Sequence, residues 1–126
     1  MRVSEVVAVV GAGNVGCALA ADLVLRGLEV RLCTRSEERL ALLQAAGGIR
    51  ITGERAGSAP LPPLTTSVGE AVAGATTVAV TVPTPALPYY APALVAHCTS
   101  RQLLWLNPGH SGGALYLAAE FGRAGL

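Results

Sequence analysis

Three glycines, Gly11, Gly13 and Gly16, stand at the spacing G-x-G-x-x-G directly after the apolar run Val6 to Val10. Between a strand and a helix, that spacing makes a turn that can receive the two phosphates of a dinucleotide. Gly11 permits the tight turn, Gly13 lets a pyrophosphate approach bare backbone, and Gly16 lets the helix pack close to the strands. The helix start then offers free N–H groups and a positive dipole end to anions. The alternative is a glycine-rich turn in an α/β protein that binds nothing. A second chemical signal lies in RLCTRSEER, residues 31–39. An Asp or Glu at the end of the second strand would hold the ribose 2′-hydroxyl of NAD. Here that place falls on Thr34, followed by Arg35 and Ser36. A carboxylate would repel a 2′-phosphate, a hydroxyl tolerates one, and a guanidinium pairs with one through two parallel hydrogen bonds. The trio therefore favours NADP, with NAD as second choice, and Arg39 adds a further cation one turn into the next helix. The competing reading of Arg35 is a solvated surface charge. Glu29 and Glu37 are poor substitutes for the absent acid, one at the wrong end of the strand and the other inside the following helix.

Other reactive side chains carry weaker signals. His110 sits in the glycine-flanked run NPGHSGG after a strand, where backbone N–H groups could bind an anion and an imidazole could move a proton. No neighbouring carboxylate orients it, so the loop reading is preferred. His97 suits the negative end of a helix dipole. Cys17, in the first helical turn, reads as a small packed thiol rather than a nucleophile. Tyr89 and Tyr90 are candidates for a cofactor contact or a partner surface. Trp105 reads as core or as facing another domain.

The elements that must position these residues follow from periodicity. Val6 to Val10 reads as a central strand buried on both faces. A helix is expected from Asn14 to Arg26, with the apolar Val15, Leu19 and Leu23 four apart and Gly27 as its stop. Glu29 to Cys33 is a second strand. Ser36 caps a helix with Glu37 and Glu38 in its first turn, Leu40 and Leu43 facing inward, and Gly47-Gly48 at its end. Residues 49–63 suit a hairpin or extended excursion, since Pro60, Pro62 and Pro63 bar a helix. Leu64 to Thr66 is a short strand, Val68 to Gly74 a helical turn or two, and Thr76 to Val82 a strongly β-like run. A helix begins near Pro88 and reaches His97, with Pro92 in its early turns. Leu103 to Leu106 is the last strand and Gly113 to Arg123 a closing helix. Alternating strands and helices imply right-handed crossovers and a Rossmann-type parallel sheet with helices on both faces.

Composition narrows the function classes. Apolar residues make up 52% of the 126 and charged residues 13%, so a folded domain is expected, and the net charge of +1 leaves no nucleic-acid or anionic-membrane footprint. Aromatics, at 4%, are too few for base-stacking platforms. Cys17, Cys33 and Cys98 form neither a CxxC pair nor a Cys/His cluster, so no metal site is expected. Reduced thiols point to the cytoplasm. No membrane span is expected. The high apolar share implies surface lying against something, such as a second copy in a dimer.

The segments GAGNVGCALAADL, RLCTRSEERL, GGIRITGE, AVTVPTPA and LNPGHSGGAL together make the chain resemble the N-terminal domain of the opine (octopine/nopaline) dehydrogenases. The glycine turn is shared with ketopantoate reductases and glycerol-3-phosphate dehydrogenases. Asn14 within the turn, and NPG followed by GG, shift the weight to the opine enzymes. These condense a keto acid with an amino acid reductively, using NADH or NADPH. The resemblance implies that Gly11, Gly13, Asn14, Val15 and Gly16 hold the pyrophosphate and that Thr34, Arg35 and Ser36 face the adenosine ribose. It also implies that Val82, Pro83 and Thr84 lie beside the nicotinamide half. Family members carry a second, helical domain with the acid/base histidine. This chain ends at Leu126, so residues 1–126 are expected to be a single cofactor domain without the helical substrate domain, inactive alone and without a catalytic residue of its own. The alternatives are a ketopantoate-reductase-like domain, a non-catalytic nucleotide-binding regulatory module, or an orphaned fold that associates through apolar surface.

Overall fold

The computed structural model describes residues 5–52, 57–107 and 112–125. In chain order the elements are β1 (Val6–Val10), α1 (Asn14–Leu25), β2 (Glu29–Cys33), α2 (Glu37–Ala46), β3 (Gly48–Ile51), β4 (Gly57–Pro60) and β5 (Leu64–Thr65). They continue with α3 (Val68–Val72), β6 (Thr77–Val80), a 3-10 turn (Thr84–Ala86), α4 (Leu87–His97), β7 (Leu103–Leu106) and α5 (Gly113–Arg123). Five strands form a parallel sheet in the order β5-β2-β1-β6-β7, and β3 pairs antiparallel with β4 outside it. This is the expected Rossmann-type sheet, and the excursion at 49–63 is the hairpin. β1 is central, paired with β2 from Val6↔Glu29 to Val10↔Cys33 and with β6 from Val7↔Thr77 to Val10↔Val80.

Successive side chains of a strand point to opposite faces, and the core divides accordingly. Ala8, Val10, Val78 and Val80 meet α3, α4 and α5 on one face, through Val72, Leu94 and Leu117 among others. Val7, Val9, Val30 and Leu32 meet α1 and the hairpin on the other, through Ala20, Ala21, Ile49 and Ala59. Burying each such Val or Leu contributes about 1.5–3 kcal/mol, which is why a continuous β-branched run settles in the middle of the sheet.

The packing refines three features of the sequence reading. The buried stripe of α1 is Gly16, Cys17, Ala20 and Ala21, not Val15, Leu19 and Leu23. Leu19 and Leu23 pack at the margin, and Val15 is 43% exposed. The helix lies too close to the sheet for large side chains between them. α2 buries no residue fully, so Leu40 and Leu43 reach only half-way in. Trp105 is 46% exposed rather than core, because β7 is an edge strand whose outer face carries Leu103 and Trp105.

Polar side chains fasten the chain where backbone groups lack partners. The Thr76 hydroxyl donates to Val6 O at 3.0 Å and accepts from Val6 N. Arg31 reaches from β2 to the carbonyls that end α3, Ala71 O at 3.1 Å and Ala73 O more closely. Gln102 Nε2 donates to Val72 O at 2.6 Å and Ala75 O at 3.0 Å, tying the start of β7 to the same helix end. Cations and N–H donors belong at such a terminus, where carbonyls are unpaired and the dipole is negative.

Two thiols sit in the core face shared with α3 and α4. Burial pushes Cys33 and Cys98 up to about 11. Between the ordinary thiol value and that one, the folded chain holds protons that the unfolded chain has released. The contribution is therefore complete below the unfolded value and lost as pH rises through about 11. The thermal midpoint is expected to fall over that alkaline window, with a shallower slope in the Cys33→Ala/Cys98→Ala double variant. Equal slopes would contradict the assignment.

Candidate functional site

The site lies at the carboxyl ends of β1, β2 and β6, where an open parallel sheet leaves a crevice. The chain leaves β1 through Gly11, whose φ of +116° is closed to most L side chains. A Cβ there would stand 2.7 Å from Thr81 Oγ1 and 2.9 Å from Val82 Cγ1. At Gly16 it would stand 1.7 Å from the Gly11 carbonyl oxygen, so the first turn of α1 rests directly on the strand end. Gly13 differs: a Cβ there meets nothing within 4 Å. Two glycines are thus required by packing, while the third faces open space.

Gly13 is the N-cap of α1 and makes no side-chain cap bond, and no acidic residue stands in the first turn. Cys17 N donates to Gly13 O at 2.9 Å. Ala12 O is held from behind by Arg39 Nε at 2.8 Å and by the Cys17 thiol at 3.3 Å. Because the peptide is planar and trans, fixing that carbonyl turns the Gly13 N–H the opposite way. The turn presents donors and a positive helix end, which suits an anion. Asn14 and Val15 also border a shallow groove of about 460 Å³ that runs to Asp22 and Asn107.

Thr81, just beyond β6, latches the turn. Its hydroxyl lies 3.1 Å from Val10 O and 3.0 Å from Gly11 O, and its backbone N–H donates to Val10 O at 2.9 Å. Sequence reasoning missed this residue. The available signal was a hydroxyl at the carboxyl end of the otherwise apolar run VAV, where a buried strand reaches a glycine turn. Val82 is buried against Gly11, Pro83 is exposed at the head of the 3-10 turn, and Thr84 is half-buried within it.

The β2–α2 loop holds the second cluster. Thr34 is buried, and its Oγ1 accepts from Ser36 N at 3.2 Å. Ser36 caps α2 by accepting from Arg39 N at 3.1 Å. Both hydroxyls therefore shape the loop, and Arg35 projects from it, exposed. Its guanidinium carbon lies 4.1 Å from the Tyr89 ring centre and 5.6 Å from that of Tyr90. The candidates gather as two groups, the glycine turn with Val82 and the loop at 34–36, joined by Arg39. His97 stands at the last turn of α4 with its ring against Gly69. His110 lies outside the described residues.

Comparison with known proteins agrees with this architecture. The family model for ketopantoate reductase PanE/ApbA matches residues 7–107. A curated opine dehydrogenase from Arthrobacter sp. (strain 1C) is 36% identical over 113 residues, covering 89% of this chain and 32% of the relative. Octopine dehydrogenase, solved with NADH and L-arginine, superposes with a TM-score of 0.79 at 23% identity, over 96% of this chain and 32% of that one. A ketopantoate-reductase-like protein from Ralstonia solanacearum MolK2 gives 0.65 at 24% identity, over 83% of this chain and 32% of that one. The chain thus spans about a third of the length of these relatives. The resemblance to opine dehydrogenases read from the sequence is borne out by the Arthrobacter relative. Because the family match runs from the first strand to the residue that follows the last, this chain belongs to the ketopantoate reductase PanE/ApbA family.

Proposed function

We propose that the chain is the NADP(H)-binding domain of an opine-dehydrogenase-like oxidoreductase, with NAD(H) the weaker ligand. One observation carries the proposal: Gly13, at the start of α1, faces open space, while its two motif partners are locked by packing. In this reading Gly11, Gly13, Asn14, Val15 and Gly16 hold the pyrophosphate, with Arg39 fixing the turn from behind. Arg35 and Ser36 face the adenosine ribose. Thr34 supports them from beneath, since its hydroxyl is engaged by Ser36. Val82, Pro83 and Thr84 border the nicotinamide half.

When bound, the cofactor would supply a hydride to an imine formed from a keto acid and an amine. The chain's share is binding and orientation. General acid/base groups and the substrate pocket would come from a separate helical domain. The exposed Leu103 and Trp105, on the side of β7 away from α5, offer an apolar surface for such a domain or for a second copy. No helix among the described residues is long and apolar enough to cross a membrane, and the three free thiols suit the cytoplasm. The family match favours a second reading, in which the reduced substrate is a keto acid alone.

Calorimetric titration with NADPH and NADH side by side tests the proposal. The wild type is expected to favour NADPH, and Arg35→Asp to abolish the preference. Failure to bind either nucleotide at millimolar concentration would refute it. The chain alone should show negligible NADPH oxidation with pyruvate and any amino acid; robust turnover would exclude a purely cofactor-binding role.

The glycines separate folding from binding. Gly16→Ala is expected to destabilise the chain by about 3 kcal/mol or more, since backbone must move. Gly13→Ala should leave the unfolding midpoint nearly unchanged yet weaken both nucleotides at least about tenfold, roughly 1.4 kcal/mol. Comparable unfolding midpoints for the two variants would contradict the division of roles.

A further inference from the structure

Resting on the dinucleotide reading above, we infer that Tyr89 is a positioning residue for cofactor selection: its ring holds the Arg35 guanidinium beside the adenosine ribose with its N–H edge free. Arg35 follows β2, and Tyr89 stands in α4, which follows β6. Those two strands flank β1, so the ring contact bridges the sheet at the strand ends beside the glycine turn. Tyr90, 7% exposed, belongs to the core, whereas Tyr89 is 67% exposed. Arg35 is the cation that lies over the Tyr89 ring.

The guanidinium carbon lies 4.1 Å from the ring centre, within cation–π range. A cation–π contact holds the group over the face of the ring without using a hydrogen-bond acceptor, and a guanidinium carries five N–H donors in a rigid fork. Among the described residues none of the Arg35 side-chain donors meets an acceptor. Arg39, by contrast, is committed to Ala12 O and Cys17 Sγ. Glu37 and Glu38 lie close in sequence, at the start of α2, yet among the described residues no ion pair joins either to Arg35. The ring therefore gives the cation a partner that leaves its N–H donors uncommitted before a ligand arrives. A 2′-phosphate needs two adjacent N–H donors at a fixed place, and a 2′-hydroxyl does not. Tyr89 consequently acts on the choice between NADP and NAD through Arg35.

The test compares Tyr89→Leu and Tyr89→Phe with the wild type by calorimetric titration with NADPH and with NADH, after thermal melts establish that each is folded. Tyr89→Leu is expected to weaken NADPH about two- to fivefold and leave NADH unchanged. Tyr89→Phe keeps the aromatic face and should keep the ratio of the two affinities. In an Arg35→Ala background, Tyr89→Leu should no longer alter that ratio. An unchanged ratio in Tyr89→Leu, whether both nucleotides weaken together or neither does, overturns the inference while leaving the binding proposal intact. Equal weakening of both would mean the ring stacks on adenine instead. A wild type that binds neither nucleotide overturns the binding proposal, and this inference with it.

Discussion

Helix α1 meets the end of β1 so closely that one added carbon at residue 16 would sit 1.7 Å from the Gly11 carbonyl oxygen. That approach is possible only because residue 16 lacks a side chain and Gly11 takes a φ of +116°. The Thr81 hydroxyl fills the remaining space behind the turn, bonded to the carbonyls of Val10 and Gly11. Much else follows from this contact. The inner stripe of α1 must be small, which accounts for Cys17, Ala20 and Ala21 in the core in place of the leucines. The larger Leu19, Leu23 and Val24 lean on the flanks of the same cluster.

The same contact fixes the direction in which the helix points its unpaired N–H groups. Arg39 and Cys17 both hold the Ala12 carbonyl, so acceptor oxygen is turned away from the crevice and donors are turned toward it. A helix start with no side-chain cap and no acidic residue leaves its positive end open to an anion. Electrostatics and sterics thus agree at one turn: the position that faces the opening, Gly13, has bare space above it.

Two arginines divide the work around that turn. Arg39 is part of the scaffold, bound to main chain, and Arg35 is displayed on an aromatic ring at the rim. Thr34 and Ser36, which flank Arg35, are occupied in shaping the loop and capping α2. The loop is therefore hydrogen-bonded on both sides of its projecting cation. Its character differs from that of a loop bearing a carboxylate at the same place, which would receive a 2′-hydroxyl and repel a 2′-phosphate.

The sequence by itself determined the strands, the crossovers and the glycine turn, because those depend on local properties: β-branched runs, N-cap hydroxyls, prolines and residues that tolerate positive φ. β7, α5 and the Ser36 cap fall where the pattern puts them. Hydrophobic periodicity could not say how near two elements lie, so it singled out the large residues of α1 where small ones are buried, and it could not tell that β7 is an edge, so it left Trp105 between the core and a surface facing another domain. Thr81 on the glycine turn and Tyr89 beneath Arg35 join residues some seventy and fifty positions apart in the chain. Only the packing of parallel strands β2, β1 and β6 side by side brings those distant loops to one rim, and no local pattern in the chain records that distance.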